Sequence, residues 1–406
     1  MLMLSKHSAF VLLVLGVIAG TRYPAAQKAA VPAPATVQER GPQTVSPEAI
    51  QSAIDSLGNL EFPVRLNAAR TLRRARPEIV TPALINAIDG HKDQFVRFRA
   101  LVILTSFNDA RTPEIVRQMT TNPNDRLRTV AYMFYEHHLS PGMIPSLLQA
   151  LEREESEFVR PALVRALAAQ GNDPRVRETL LVEVGRGQDF FRSAVIEALG
   201  DYRAVYAIEP LLGIARLNGP LQSDAVIALG KLKDQRAMET LASLQRSAPR
   251  DSQPTVAAAI CLIGINCESH VPYLIETLRF AEKNPGFQEL IRNTVAGLVA
   301  VANAGNMQAL NALIDVGIPS VDPPRAPMAL GAGTIAIRNT PLMLSFLESY
   351  PKSDAAIELI SEGFDMLEED YQEERFFATV RRRYWDAADA SATRRIGQSL
   401  IDKLGF

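Results

Sequence analysis

Five histidines, His7, His91, His137, His138 and His270, are the whole imidazole stock of this chain, and their spacing limits what chemistry they could do. None stands in an HExxH pattern, and no Cys/His set has the spacing that holds zinc. His137 and His138 close a predicted helix before Ser140, where a favourable dipole contact accounts for them. Cys261 and Cys267 flank Gly264 and Asn266; they permit either a local disulfide in an oxidising compartment or two buried thiols. Gly331-Ala332-Gly333-Thr334-Ile335-Ala336 matches GxGxxA in letters, but Pro323, Pro324 and Pro327 occupy the place where a dinucleotide fold needs a strand. There is no GxSxG and no Walker motif. These residues assign no catalytic, metal or cofactor site, and the chain reads as non-enzymatic.

Arginine is the more regular chemistry. Arg65, Arg97, Arg128, Arg160 and Arg192 recur at intervals of 32, 31, 32 and 32 residues. Four residues before them stand hydrogen-bond acceptors: Glu61, Asp93, Asn124, Ser156 and Gln188. A planar guanidinium suits bidentate bridging, so the set reads as a structural ladder. A second group, Arg70, Arg74, Arg99, Arg126 and Arg165, is the candidate surface for a protein partner. Residues 61–110 carry 8 Lys/Arg against 5 Asp/Glu, which favours an acidic partner and a salt-sensitive contact. Arg381-Arg382-Arg383-Tyr384-Trp385 reads as cation–π packing on the one Trp, and nucleic acid is not expected as a partner.

Helices must position these groups. Each ladder arginine opens a run with apolar residues at helical spacing, such as Leu66-Ala69-Leu72 and Val195-Ile196-Leu199. Ser46-Pro47, Thr112-Pro113, Ser140-Pro141 and Asp173-Pro174 start a second helix in alternation, each with a capping side chain before a proline. Pro82, Pro145, Pro210 and Pro272 are expected inside that helix, bending it at one recurring place. Helices this short are marginal alone and must bury their faces on neighbouring units. The expectation is an all-α fold, a right-handed α-solenoid of about eight helix-turn-helix repeats over residues 48–306. An irregular loop and helix follow over 307–350. A charged helical cap closes 351–406, where 8 Lys/Arg meet 12 Asp/Glu and suggest a solvated end.

The chain resembles HEAT-repeat proteins, in particular the short HEAT-like repeats of phycobilisome lyases. The resemblance rests on the Val-Arg starts, on Glu197-Ala198-Leu199-Gly200-Asp201-Tyr202-Arg203-Ala204-Val205, and on Ala228-Leu229-Gly230 before Asp234-Gln235-Arg236-Ala237. It implies ladder arginines that bridge adjacent units through the acceptor four residues before. It implies little about function, because such repeats serve unrelated roles.

Composition completes the reading. With 406 residues, 47% hydrophobic and a formal net charge of −2, the chain is globular and carries no general attraction to nucleic acid or anionic lipid. The apolar run Ala9–Gly20 after Lys6 is short for a membrane span and fits a secretory signal peptide over residues 1–20. Residues 21–47 are Pro/Ala-rich and read as an extended linker. The expected protein is an exported, periplasmic or secreted scaffold that binds a protein on its concave face. If the leader is uncleaved, it touches a membrane only there. A lyase-like role on a bound small molecule and a self-associating envelope role are the alternatives.

Overall fold

The computed structural model describes residues 41–367 and 369–406, so the leader and most of the Pro/Ala-rich stretch lie outside the described residues. Twenty-two α-helices account for the described fold, and they stack as antiparallel pairs. The first four pairs are α1 (Pro47–Ser56) with α2 (Phe62–Arg74), α3 (Pro77–Gly90) with α4 (Gln94–Leu104), α5 (Thr112–Met119) with α6 (Asp125–His137), and α7 (Ile144–Arg153) with α8 (Arg160–Ala168). The next four are α9 (Pro174–Glu183) with α10 (Asp189–Asp201), α11 (Ile208–Ala215) with α12 (Gln222–Leu232), α13 (Met238–Ser247) with α14 (Gln253–Ile263), and α15 (Cys267–Glu282) with α16 (Gln288–Asn303). These are the eight expected units. The fold is an all-α solenoid.

Local chemistry sets the helix starts. Ser46 Oγ accepts from the Ala49 amide at 3.2 Å and Asp173 Oδ1 from Arg175 at 2.9 Å, each ahead of a proline whose missing N–H costs nothing there. Pro82 and Pro272 do lie inside α3 and α15. Pro145 and Pro210 differ from expectation: they fall in the first turns of α7 and α11, because a short 3-10 turn precedes each helix. Cys261 and Cys267 are joined as a disulfide across the end of α14, where Gly264 turns the chain with a φ of 96°.

Residues 307–350 are not an irregular loop with one helix. They hold α17 (Met307–Gly317), α18 (Arg325–Arg338) and α19 (Thr340–Ser349), followed by α20 (Ser353–Leu367). The GxGxxA letters sit within α18, where the small side chains let two backbones meet. A Cβ on Gly333 would stand 3.0 Å from the Gly363 carbonyl carbon of α20. The stack therefore runs on by two further pairs. Then α21 (Asp370–Asp386) leaves the stack, and α22 (Ala392–Leu404) returns to pack on α19 and α20.

Second helices pack directly on one another from α2 through α20, whereas first helices meet directly at fewer places, such as α1 with α3 and α15 with α17. The side with the closer spacing is the inside of an arc, so the second helices line the concave face. Helix α21 touches both α4 and α18 across that arc. The array closes on itself.

The end of the Pro/Ala-rich stretch is docked rather than free. Gln43 N donates to Arg74 O at 2.7 Å, and Arg76 N donates to Gln43 O at 3.0 Å. Ala75 is extended between α2 and α3, which leaves these main-chain groups without helical partners, and the incoming strand residue satisfies them.

Candidate functional site

The ladder arginines do not pair with the acceptors four residues before them. Those residues sit at helix starts instead: the main-chain oxygens of Glu61, Asp93, Asn124, Ser156 and Gln188 accept from the amides of Arg65, Arg97, Arg128, Arg160 and Arg192. Asp93 and Asn124 also cap through their side chains, to Phe95 and Arg126. Four of the guanidiniums reach carbonyls at the preceding helix end or turn, Arg65 to Asn59 and Leu60, Arg97 to Ile88, Arg128 to Asn122 and Pro123, and Arg192 to Val184. Arg128 and Arg160 bridge to the following unit through Glu154 and Glu183, at 2.8 and 2.9 Å. The ladder is structural, but its geometry is set by helix ends, because the residue at position −4 is occupied with starting the helix.

The five arginines assigned to a partner surface lie on second helices, and four of them are engaged by the chain itself. Arg99 pairs with Asp370 of α21. Arg70 Nε donates to Gly405 O at 3.2 Å, and Arg74 Nη2 to Phe406 O at 3.1 Å. Arg165 is held by Glu136 at 2.8 Å and Asp201 at 3.0 Å, and Lys231 reaches the same aspartate. Arg126 is the exception: it stays exposed, with its guanidinium 5.6 and 5.4 Å from the rings of Phe95 and Phe98.

Two residues to which sequence reasoning gave no role across the array, Arg73 and His137, organise the closure. Arg73 of α2 donates to Glu374 Oε2 at 2.7 Å, and Arg381 donates to the other oxygen at 3.3 Å. Glu374 is fully buried and Arg73 is 8% exposed, so the pair is desolvated. His137 is the second. Gln372 Nε2 and Arg375 Nη1 both lie 3.0 Å from its Nε2, and both can only donate. His137 Nε2 is therefore the acceptor and carries no proton. Its ring also faces Tyr371 of α21, with centroids 6.0 Å apart. The helix-dipole explanation suits His138 better, whose Nδ1 lies 3.0 Å from Phe134 O. The Arg-Arg-Arg-Tyr-Trp stretch also differs from expectation: the cation over Tyr384 is Arg394, at 4.2 Å, since Arg381 is taken by Glu374.

The electrostatics of this seam are opposed. Burial lowers His137 to about 4, helped by the Arg375, Arg165 and Arg338 charges and countered by Glu136. Burial also raises Glu373 to about 7; Asp370 adds to the rise, while the Glu369 amide, Arg73 and Arg99 oppose it. Burial would raise Glu136 too, but Arg165, the Tyr202 hydroxyl that donates to it and Arg338 hold it below its ordinary value. The signs follow from linkage. A released His137 takes a proton below about pH 6.5 while the docked ring resists until about 4, so closure weakens as pH falls through that window. Glu373 holds its proton in the folded state up to about 7, so its contribution grows as pH falls from 7 toward 4.5. Replacing His137 by Gln, which still accepts, should abolish the acid-side loss in a Tm-against-pH series. Glu373→Gln should abolish the gain between pH 7.5 and 6.5. Parallel curves for all three proteins would refute the assignment.

Among the described residues, no group of three or more His, Cys, Asp or Glu could hold a metal ion, and no helix is long and apolar enough to cross a membrane. A shallow depression of about 480 Å³ lies away from the seam, at the turn between α7 and α8, lined by Asp125, Arg128 and Glu154 to Phe158. The arrangement of the inner face is suited to holding polypeptide by charge pairs.

A family match agrees with the repeat architecture at the start of the array. Residues 47–134 match the family described as HEAT repeats. No curated protein matches the chain. Among solved structures, a Kap121p mutant is similar over 88% of this chain and 45% of its own, at 12% identity and a TM-score of 0.38. Importin beta is similar over 88% and 58%, at 12% identity and a TM-score of 0.37. A structure from work on the cadherin and beta-catenin interaction is similar over 88% and 94%, at 13% identity and a TM-score of 0.29. The chain spans about half the length of the first two. By its own stacked helix pairs the chain is an all-α solenoid, and its first units, residues 47–134, match HEAT repeats.

Proposed function

We propose that the protein is a non-enzymatic exported scaffold, an adaptor that holds a protein partner on the concave face of its solenoid. One observation carries this reading: the concave face already holds a helix, α21, through Arg73–Glu374, Arg99–Asp370 and the His137 contacts. A surface that binds one acidic helix in this manner has the chemistry to bind another. The apolar run after Lys6 supports export, and the Cys261–Cys267 disulfide is in keeping with an oxidising compartment.

The test is to express the full chain with its own leader, fractionate the cells, crosslink, and identify what is joined to α2, α4 and α6. The expected result is an exported chain with one dominant protein crosslinked to these helices, reduced by Arg126→Glu, the exposed inner arginine, and by high salt. A chain retained in the cytosol, or crosslinked only to itself, contradicts the proposal.

A further inference from the structure

We infer that the first turn of α21, Asp370 to Glu374, is an exchangeable occupant of the concave face, and that this face takes protein segments of the same chemistry: an acidic helical turn carrying an aromatic side chain. The inference deepens the adaptor reading and rests on it.

The topology comes first. Through the stack each helix pair meets its neighbours, as a solenoid requires, so opening between distant parts breaks no repeat. The contacts of α21 and the last residues with α2, α4 and α6 are of another kind, joining residues 235 to 335 positions apart. They can be lost without unstacking any unit.

The two sides of α21 differ in chemistry. One side is apolar and belongs to the C-terminal body: Phe376 and Phe377 pack on Phe364, and Phe377 also stacks on Phe406 with ring centroids 4.3 Å apart. The side turned to the N-terminal repeats is polar. It presents Asp370 to Arg99, Glu374 to Arg73, Glu373 to the charges of both, and Gln372 to His137. Tyr371 is 2% exposed and packs with the core formed by residues 50–260, and the Arg73 guanidinium lies 5.0 Å from the Phe377 ring. A charge-matched contact selects its occupant by sign, so another segment carrying the same carboxylates can satisfy the same arginines.

The arginine face therefore identifies its own ligand. Arg70, Arg73, Arg74 and Arg99 meet two carboxylates and two main-chain oxygens, and the local excess of positive charge in residues 61–110 opposes the excess of negative charge in residues 351–406. A partner that supplies Asp-Tyr-x-Glu-Glu on one helical turn offers the same set.

The experiment uses the full chain and a fluorescent peptide with the sequence of residues 366–378. The wild-type protein, its face occupied, should bind the peptide weakly. Asp370→Asn with Glu374→Gln weakens the internal occupant and leaves every arginine in place. Binding should then tighten by about tenfold or more, fall with salt, and vanish for a peptide with Tyr371 replaced by Ala and its acids neutralised. Equal affinity for wild type and variant, with hydrogen exchange showing α2 and α4 exposed in the variant, overturns the inference. If the double variant loses helicity, Asp370→Asn alone carries the same expectation. A concentration-dependent dimer of the variant that excludes the peptide also overturns it, assigning the face to a second copy. Failure of export or of partner capture would sink the adaptor reading while leaving this peptide result readable.

Discussion

Glu374→Gln is expected to release the contact between the two ends of the array, at a cost of about 3–5 kcal/mol. The carboxylate is fully buried and accepts from two guanidiniums, Arg73 at 2.7 Å and Arg381 at 3.3 Å, both nearly inaccessible to water. Neutralising it leaves two cations in a low-dielectric site with no counter-charge. Burial already pulls Arg381 down to about 10 with Glu374 in place. The loss should appear as faster hydrogen exchange in α2 and α21 together, because a repeat array need not unfold as one unit. A cost below about 1 kcal/mol, as for an exposed ion pair, would show that Glu374 does not hold the ends together.

Gly363→Val is expected to be the other large effect, at about 3 kcal/mol. Helices α18 and α20 cross with their backbones in contact. A Cβ at Gly363 would run into the Ala329 carbonyl group and would stand 3.0 Å from the Gly333 amide nitrogen. Main-chain atoms cannot step aside as a flexible side chain can, so the two helices must part. The platform that supports Phe364, and through it α21, would shift with them. Gly213 is the control: nothing lies near its missing Cβ on α11, and Gly213→Ala should be neutral or stabilising by about 0.5–1 kcal/mol. Thermal unfolding of the two variants separates the cases, and equal Tm values would refute the close crossing.

The repeat was legible because it is local. An apolar residue followed by Arg recurs at 31 or 32 residues through the first five units, and apolar stripes at helical spacing continue beyond them, so the eight units over 47–303 follow from short-range chemistry. The continuation past Asn306 was hidden by composition. Prolines before α18 suggested a loop, and its Ala/Gly run resembled a phosphate-binding turn, when small residues were serving a helix crossing with Gly363. The closure was the least legible feature. Glu373, Glu374 and Asp370 look like a solvated acidic tail until they meet Arg73 and Arg99 nearly three hundred residues away. The one sequence signal was the pair of opposite charge imbalances at the two ends of the chain. Arg70, Arg74 and Arg99 were assigned to a partner surface, and in the structure they meet the chain's own C-terminal region.

The central claim is that the solenoid closes, with its last helices on the inner face of its first. It is tested most directly by the distance between spin labels on exposed positions of α2 and α22, at Asn67 and Asp402, in the otherwise native chain. Gly405 lies against Leu66 and Arg70, so a closed array places the two labels within about 25 Å of each other. Ten helix pairs stacked at about 10 Å each, if open, would carry them toward 100 Å apart. A single narrow short distance, lengthened by Glu374→Gln, is the result that closure predicts. A broad long distance that ignores the substitution would contradict it.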